Sequence, residues 1–291
     1  METEIRLFGG KVYKKEALLE LEPNLLRALL RERVHHTIEV PLYTLLLRQH
    51  LKAMPNFGNH AQIIFDVWKE RNLPEEGPDI VWAKRYLDIA AKIRRGERPE
   101  IPEIEEALPQ PFSNDEMNVV RKLIWERCSI RNWIDKPIPD NIIEQILEAG
   151  RAAPVGCNLD EVRFIVLKTP EEKEMVWSDI PTENAVIIVI CYDKRIPQVV
   201  GQDQYVPHNP GYDAAAAADH MLLMAHALGL GGVWLSKTVK SDCTEDTGEK
   251  FKKLYGLPEY IEVAMHIAIG WPAAGSIKSQ RVPLSDMIIK N

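Results

Sequence analysis

Glu126-Arg127-Cys128-Ser129-Ile130-Arg131-Asn132-Trp133 is the stretch on which the reading of this chain turns. It follows an amphipathic run, Met117, Val120, Leu123 and Ile124, opened by Ser113-Asn114-Asp115-Glu116 with the serine-to-glutamate spacing of a capping box. The predicted helix therefore ends at the first arginine. In an extended chain side chains repeat every two residues, so Arg127, Ser129 and Arg131 face the same way. Two guanidinium forks about a hydroxyl suit a phosphate or a polyol. Alone, these residues describe any solvated basic turn, and the rest of the chain has to decide.

Downstream, Asp135-Lys136-Pro137-Ile138-Pro139-Asp140 is a stiff turn with Asp140 as a candidate cap. Ile142, Ile143, Ile146 and Leu147 give the next helix its buried face. Val162–Leu167 reads as a strand, and Ala185–Tyr192, apolar on both faces, as a central one. Asp213 is expected to cap a long helix, Ala214–Leu228, apolar nearly all round and so destined for the core or a subunit interface. Gly229-Leu230-Gly231-Gly232 ends it, and a short strand follows at Val233–Ser236. Phe251–Tyr255 lies on another helix, and Ile261–Ile269 is the last strand. Strands and helices interleave without repeats, which gives an α+β class with a mixed or antiparallel sheet flanked by helices.

The glycine turn invites a dinucleotide reading, but G-x-G-x-x-G belongs between a strand and a following helix. Here the glycines follow a helix and precede a strand. A helix C-cap accounts for Gly229. Three glycines in four residues imply that the backbone passes close to something flat or bulky.

Upstream, leucines at helical spacing from Ala17 to Leu30, then Leu42–Leu51, Ala61–Trp68 and Val81–Ile93, predict about four helices, broken at Pro41, Pro55, Pro74 and Pro78. The proline-rich segment 96–112 reads as a linker between a helical N-terminal domain, residues 1–95, and a second domain, residues 113–291; a surface loop within one domain is the other reading. His35, His36, His50 and His60 cluster here. Adjacent histidines diverge by about 100° on a helix, so they read as surface or partly buried side chains and not as metal ligands.

The 291 residues carry a net charge of −7, which argues against a general nucleic-acid binder. No apolar run is long enough to span a bilayer. The acidic start, Met1-Glu2-Thr3-Glu4, lacks the order of a signal peptide. Four separated cysteines without a CxxC pair fit reduced thiols, so a cytoplasmic protein is expected.

Taken in order, Arg127–Arg131, Ala153-Pro154-Val155-Gly156-Cys157-Asn158, the alanine-rich helix with its glycine turn and Trp234, and Ile267–Pro272 followed by Lys278 and Arg281, the chain from Asn114 to Ile289 resembles the FMN-dependent nitroreductase family. The first ~110 residues have no counterpart in that resemblance. It implies an oxidoreductase that passes a hydride from NADH or NADPH through FMN to a small planar acceptor. It also implies a homodimer with FMN at the interface. Arg127, Ser129 and Arg131, with Cys128 among them, would hold the phosphate, ribityl chain and pyrimidine edge. Arg281 and Lys278 would add a second phosphate anchor. Pro154, Val155, Gly156 and Asn158 would lie against the ring, with the Asn158 amide hydrogen-bonded to it. Trp234, Leu235, Ser236 and Lys237 would wall one face, with the Ser236 backbone N–H near flavin N5. No acid–base triad is implied, because the flavin carries the chemistry.

Two departures stand out. Family members commonly follow the Asn with Gln-Pro-Trp, where this chain has Asp160-Glu161-Val162, and the usual Pro-Ser-Ser turn is here Pro154-Val155-Gly156. The acceptor therefore stays open. So do two other readings: a specialised relative, such as a reductive dehalogenase or a flavin-fragmenting enzyme, and a flavin-binding sensor or interaction protein without turnover. Cys128 and Cys157 fall beside the positions implied to contact flavin, as small buried fillers or as redox thiols.

Overall fold

The computed structural model describes residues 4–7, 10–47, 52–173, 176, 180–235 and 247–289. The chain divides into two compact units. One comprises residues 1–110 together with 155–161 and 193–213; the other comprises 111–154, 162–192 and 214–291.

The first unit opens on an antiparallel hairpin, β1 (Glu4–Arg6) and β2 (Val12–Lys14), that the leucine spacing did not announce. The apolar run around Pro23 is two helices, Lys15–Leu19 and Pro23–Val34. Pro23 takes the first helical position, where its missing N–H costs nothing. The second helix runs through a π-helical turn, His35–Glu39, into Val40–Leu46. Asn59–Glu70 and Pro78–Arg94 complete the set. Leu26, Leu29, Ile38, Ile64, Trp68 and Ile80 form the centre of their core. The later segments belong to the same core, which includes Leu159, Ile196, Val199 and Val200. Helical spacing alone could not show that residues so far along the chain complete this unit.

The second unit is built on a four-stranded sheet in the order β3-β4-β6-β5, where β3 is Val162–Leu167, β4 Val186–Asp193, β5 Gly231–Leu235 and β6 Ile261–Gly270. β3 pairs antiparallel with β4, and β5 antiparallel with β6. Val186–Cys191 are all buried, as a strand inside a sheet requires. With its helices, this is the α+β class expected. One apolar cluster gathers Ile143, Ile146, Ile188, Ile190, Ile267 and Ile269 with the alanine-rich helix, and a second gathers Ile130, Trp133, Ile187, Val189 and Phe251.

Two capping expectations are corrected. The long helix is Asn209–Ala227, so Asp213 lies inside it and does not cap it; its carboxylate instead accepts from the Gly156 backbone N–H at 2.9 Å. Asp140 is likewise the first residue inside its helix, behind Pro139, and it accepts from Lys168 Nζ at 2.7 Å. A carboxylate near a helix start is used by whichever donor the tertiary fold brings closest. Among the described residues no helix is long and apolar enough to cross a membrane.

Candidate functional site

The capping box at Ser113 is formed, with Ser113 and Glu116 satisfying each other's backbone N–H groups. The helix Asn114–Glu126 ends at Arg127, whose backbone turns extended at φ −57°, ψ 126°. Beyond it the chain is laid along β5. Ser129 bridges Gly232 in parallel, and the Ile130 N–H donates to the Gly232 carbonyl at 3.1 Å. Further on, Trp133 bridges Pro272, its indole N–H donates to Gly231 O at 2.9 Å, and Ile134 N–H donates to Trp271 O at 2.9 Å.

The segment is therefore held like a short extra strand. Ile130 is buried, and Cys128 packs against the same cluster. Arg127 and Ser129 are half-buried and Arg131 is exposed. Arg127 and Cys128 line a cavity of about 360 Å³ with the backbone of Gly229–Gly232, His226 and Gly275.

The glycines of that turn have separate tasks. Gly229 takes φ +80° just past the helix end, which favours glycine. Gly231 and Gly232 make room for the chain itself. A Cβ at 231 would lie 2.6 Å from Ile130, and one at 232 would lie 2.7 Å from Leu222. The bulky neighbour implied by the sequence is the protein's own core. Gly270 does the same for Trp133, at 2.6 Å.

The other candidate residues of this unit are placed as follows. Pro154 is exposed, Leu235 half-buried and Trp234 40% exposed. Lys278 Nζ stands 5.7 Å over the Trp125 ring, within cation–π reach, and Arg281 is exposed. Ser236 and Lys237 lie outside the described residues.

Val155, Gly156 and Asn158 belong to the first unit, on a loop with left-handed backbone at Cys157, Asn158 and Asp160 (φ +55°, +58° and +53°). Non-glycine residues rarely adopt this conformation unless their surroundings enforce it. Arg31, from the helix Pro23–Val34, supplies the enforcement. Its Nε donates to Asn158 O at 2.9 Å, and its Nη2 donates to Asn158 Oδ1 and to Asp160 Oδ2, both at 2.6 Å. The Asn158 amide is thereby oriented, with its oxygen on Arg31. Glu161 is buried, and burial followed by the neighbouring Asp213 pushes its carboxyl well above the usual range. The residues that depart from the family pattern, Asp160 and Glu161, are thus tied into the unit that contains the N-terminal helices.

One further cluster went unread in the sequence. His36 bonds through Nδ1 to Glu32 Oε1 at 3.0 Å, and the Cys157 thiol hydrogen-bonds the same imidazole. These contacts, the thiol first and Glu32 next, raise the His36 pKa to about 10. Glu32 and His36 stand four residues apart on one helical face, a signal present in the sequence. Cys157 is too distant along the chain to be found that way.

The fold and this site define an α+β protein with a cationic strap laid along the edge strand of its sheet and a glycine turn beneath it. The chain belongs to the nitroreductase family: the model described as "Nitroreductase family" matches residues 124–199 and 177–271. An Archaeoglobus fulgidus protein named as a candidate NADH dehydrogenase/NAD(P)H nitroreductase is 31% identical over 156 residues, covering 52% of this chain and 84% of its own. A Bacillus subtilis protein named FMN reductase [NAD(P)H] is 26% identical over 186 residues, 57% of this chain and 71% of that one. Among solved structures, a candidate NADH dehydrogenase/NAD(P)H nitroreductase of Bacteroides thetaiotaomicron superposes with a TM-score of 0.50 at 26% identity, covering 62% of this chain and 99% of its own. The family model leaves the N-terminal part unmatched.

Proposed function

We propose that the chain is an FMN-dependent oxidoreductase that takes a hydride from NADH or NADPH and delivers it to a small planar organic acceptor. The observation that carries this reading is the half-buried Arg127 lining a cavity along bare glycine backbone, with the half-buried Ser129 bridged to Gly232 beside it. That donor set fits a phosphate monoester on a polyol chain: a guanidinium fork binds the phosphate bidentately, a hydroxyl meets the sugar alcohol, and backbone without Cβ atoms lets the ligand come close. The Bacillus subtilis relative named as an FMN reductase points to the same cofactor.

When bound, FMN supplies a ring that accepts a hydride and gives it up again. The chain's own part is to bind and orient. Arg127 holds the phosphate, Ser129 the ribityl chain and Arg131 the more exposed ring edge. Lys278 and Arg281 add positive charge from the C-terminal segment.

In the same reading the protein is a homodimer. The helix Asn114–Glu126 carries a clear apolar stripe yet buries none of its residues within the chain. Trp125 and Val119 stand exposed, and so does the C-terminal segment, with Ile277 98% and Ile289 93% exposed. Apolar surface on this scale asks for a partner, and a second copy offers the same stripe.

The test is to purify the protein, look for the absorbance of oxidised flavin with and without added FMN, and add NADH or NADPH anaerobically. Bound flavin bleached by one of them is expected. Arg127→Ala should weaken FMN binding about tenfold to a hundredfold, as loss of a charge-assisted contact does. Absence of flavin binding even with FMN supplied would sink the reading. Flavin that neither nucleotide bleaches would point to binding without turnover. Sedimentation should give twice the monomer mass, and a monomer would remove the dimer.

A further inference from the structure

The first unit holds an aromatic cleft that flavin chemistry does not use. Trp82 and Tyr86 stand four residues apart on the helix Pro78–Arg94 and so share one of its faces. Their rings meet edge-on, with centroids 5.2 Å apart and planes at 60°. Tyr43, on Val40–Leu46, brings its hydroxyl to 3.1 Å from that of Tyr86. All three aromatic side chains line a cavity of about 180 Å³, together with the buried Leu42 and Ile89. Sites for drug-sized ligands run to roughly 300–1,000 Å³, so this cleft suits one compact group. Trp82 and Tyr86 are half-buried and Tyr43 is 48% exposed, which leaves the cleft open to solvent.

The electrostatics of the cleft favour a cation. Tyr86 donates to Glu39 Oε1 at 3.2 Å, and Glu39 Oε2 meets His35 Nδ1 at 2.7 Å. His35 first, and Tyr86 after it, hold the Glu39 carboxyl below its usual range, so a negative charge is fixed at the Tyr86 hydroxyl. Burial and the contact with Tyr43 push the Tyr86 phenol up, and its ring stays un-ionised. Elsewhere the chain covers its aromatic rings with its own cations: Arg27 stands 5.6 Å over Trp68 and Lys69 5.2 Å over Phe65. Among the described residues no lysine or arginine stands over Tyr43, Trp82 or Tyr86. Arg85, the cation among the lining residues, is instead ion-paired with Glu103.

We propose that the cleft between Tyr43, Trp82 and Tyr86 binds a compact quaternary ammonium group, such as the trimethylammonium head of a choline-like molecule. The ring faces attract the charge, and the methyl groups pack on Leu42 and Ile89. A primary ammonium is a poorer guest. It would give up hydrogen bonds to water, and Glu103, the carboxylate among the lining residues, is already engaged by Arg85. A quaternary ammonium has no such bonds to lose. An uncharged group of the same shape would fill the cleft without the attraction of the rings. This inference concerns the first unit alone and does not rest on flavin binding, and neither result decides the other.

The experiment titrates the full-length protein with choline chloride by isothermal calorimetry at constant ionic strength. Two comparison compounds are run beside it: the uncharged isostere of choline, with a tert-butyl group in place of trimethylammonium, and ethanolamine, which carries a primary ammonium. Choline should bind saturably, and each comparison compound should bind about tenfold more weakly, because one lacks the charge and the other loses its hydration. Trp82→Leu, with its fold checked by circular dichroism, should weaken choline binding about tenfold, whereas Tyr86→Phe, which keeps the ring, should bind within about threefold of the native protein. The proposal is overturned if choline does not bind saturably, if either comparison compound binds as tightly, or if folded Trp82→Leu binds choline like the native protein. Should Trp82→Leu fail to fold, the comparison of choline with its uncharged isostere on the native protein decides alone.

Discussion

Replacing Gly231 by alanine tests whether packing beneath the strap fixes the segment that carries Arg127. A β-carbon at 231 would lie 2.6 Å from both Cβ and Cγ2 of Ile130 and 2.8 Å from its Cγ1. These atoms stand at the root of the side chain, so no rotamer of Ile130 relieves every contact. The strap must move away from β5, against the Ile130–Gly232 backbone bond at 3.1 Å and the Trp133 indole bond to Gly231 at 2.9 Å. Overpacking of this kind costs about 1–3 kcal/mol, and each weakened hydrogen bond adds up to about 1 kcal/mol. Gly229→Ala is the companion. Nothing lies within 4 Å of its added Cβ, but its φ is +80°, so it should cost only about 1–2 kcal/mol of backbone strain. Urea unfolding followed by circular dichroism gives the two midpoints, and FMN titration of the same samples gives affinity. Gly231→Ala should be the less stable variant and the only one to weaken FMN binding. Equal midpoints for the two variants, or a Gly231→Ala protein as stable as the native one, would refute the packing argument.

Three further substitutions probe buried charge. His266 on β6 is fully buried, neither ring nitrogen has a partner among the described residues, and burial lowers its pKa to about 4. The unfolded chain takes up a proton that the folded one refuses. Stability present above about pH 6.5 is therefore lost as the pH falls toward 4, by up to about 3 kcal/mol; His266→Leu should flatten that limb of the urea midpoint against pH. Glu161 has the opposite sign. Its folded pKa is raised by burial and then by Asp213, so its stability contribution is complete in acid and drains away as the pH rises from the usual carboxylate range through neutrality. Glu161→Gln should remove this slope, and an unchanged pH profile would contradict the assignment. Lys173 is buried and donates to the carbonyls of Thr182, Glu183 and Ala185 at 3.3, 2.7 and 2.8 Å. Lys173→Met strands those acceptors and should cost about 1–3 kcal/mol, read as a drop of several degrees in melting temperature.

The elements of the second unit were largely legible because their signals are local. The capping box at Ser113 formed as its spacing required, and Val162–Leu167 is a strand over the predicted span. Continuous apolarity marked β4 as an inner strand for the physical reason that both its faces are covered. Signals that rest on one polar residue fared worse. Asp140 and Asp213 resemble caps by position, yet each is claimed by a donor from elsewhere in the chain. The first-unit hairpin escaped notice because three-residue strands are too short to show a period.

By itself the sequence determined the α+β class, the end of the capped helix at Arg127, and membership of the nitroreductase family. All of these are written in short-range periodicity and in the order of motifs. Only the tertiary structure decided what the unmatched N-terminal helices touch. Arg31 fixes Asn158 and Asp160, and His36 meets Cys157. Such pairs join residues far apart along the chain, and a single hydrogen bond imposes no period on the sequence between its partners. The same holds for Gly231 and Gly232. Their composition announced a close approach, but only the folded chain shows that what approaches is Ile130 and Leu222, the protein's own core.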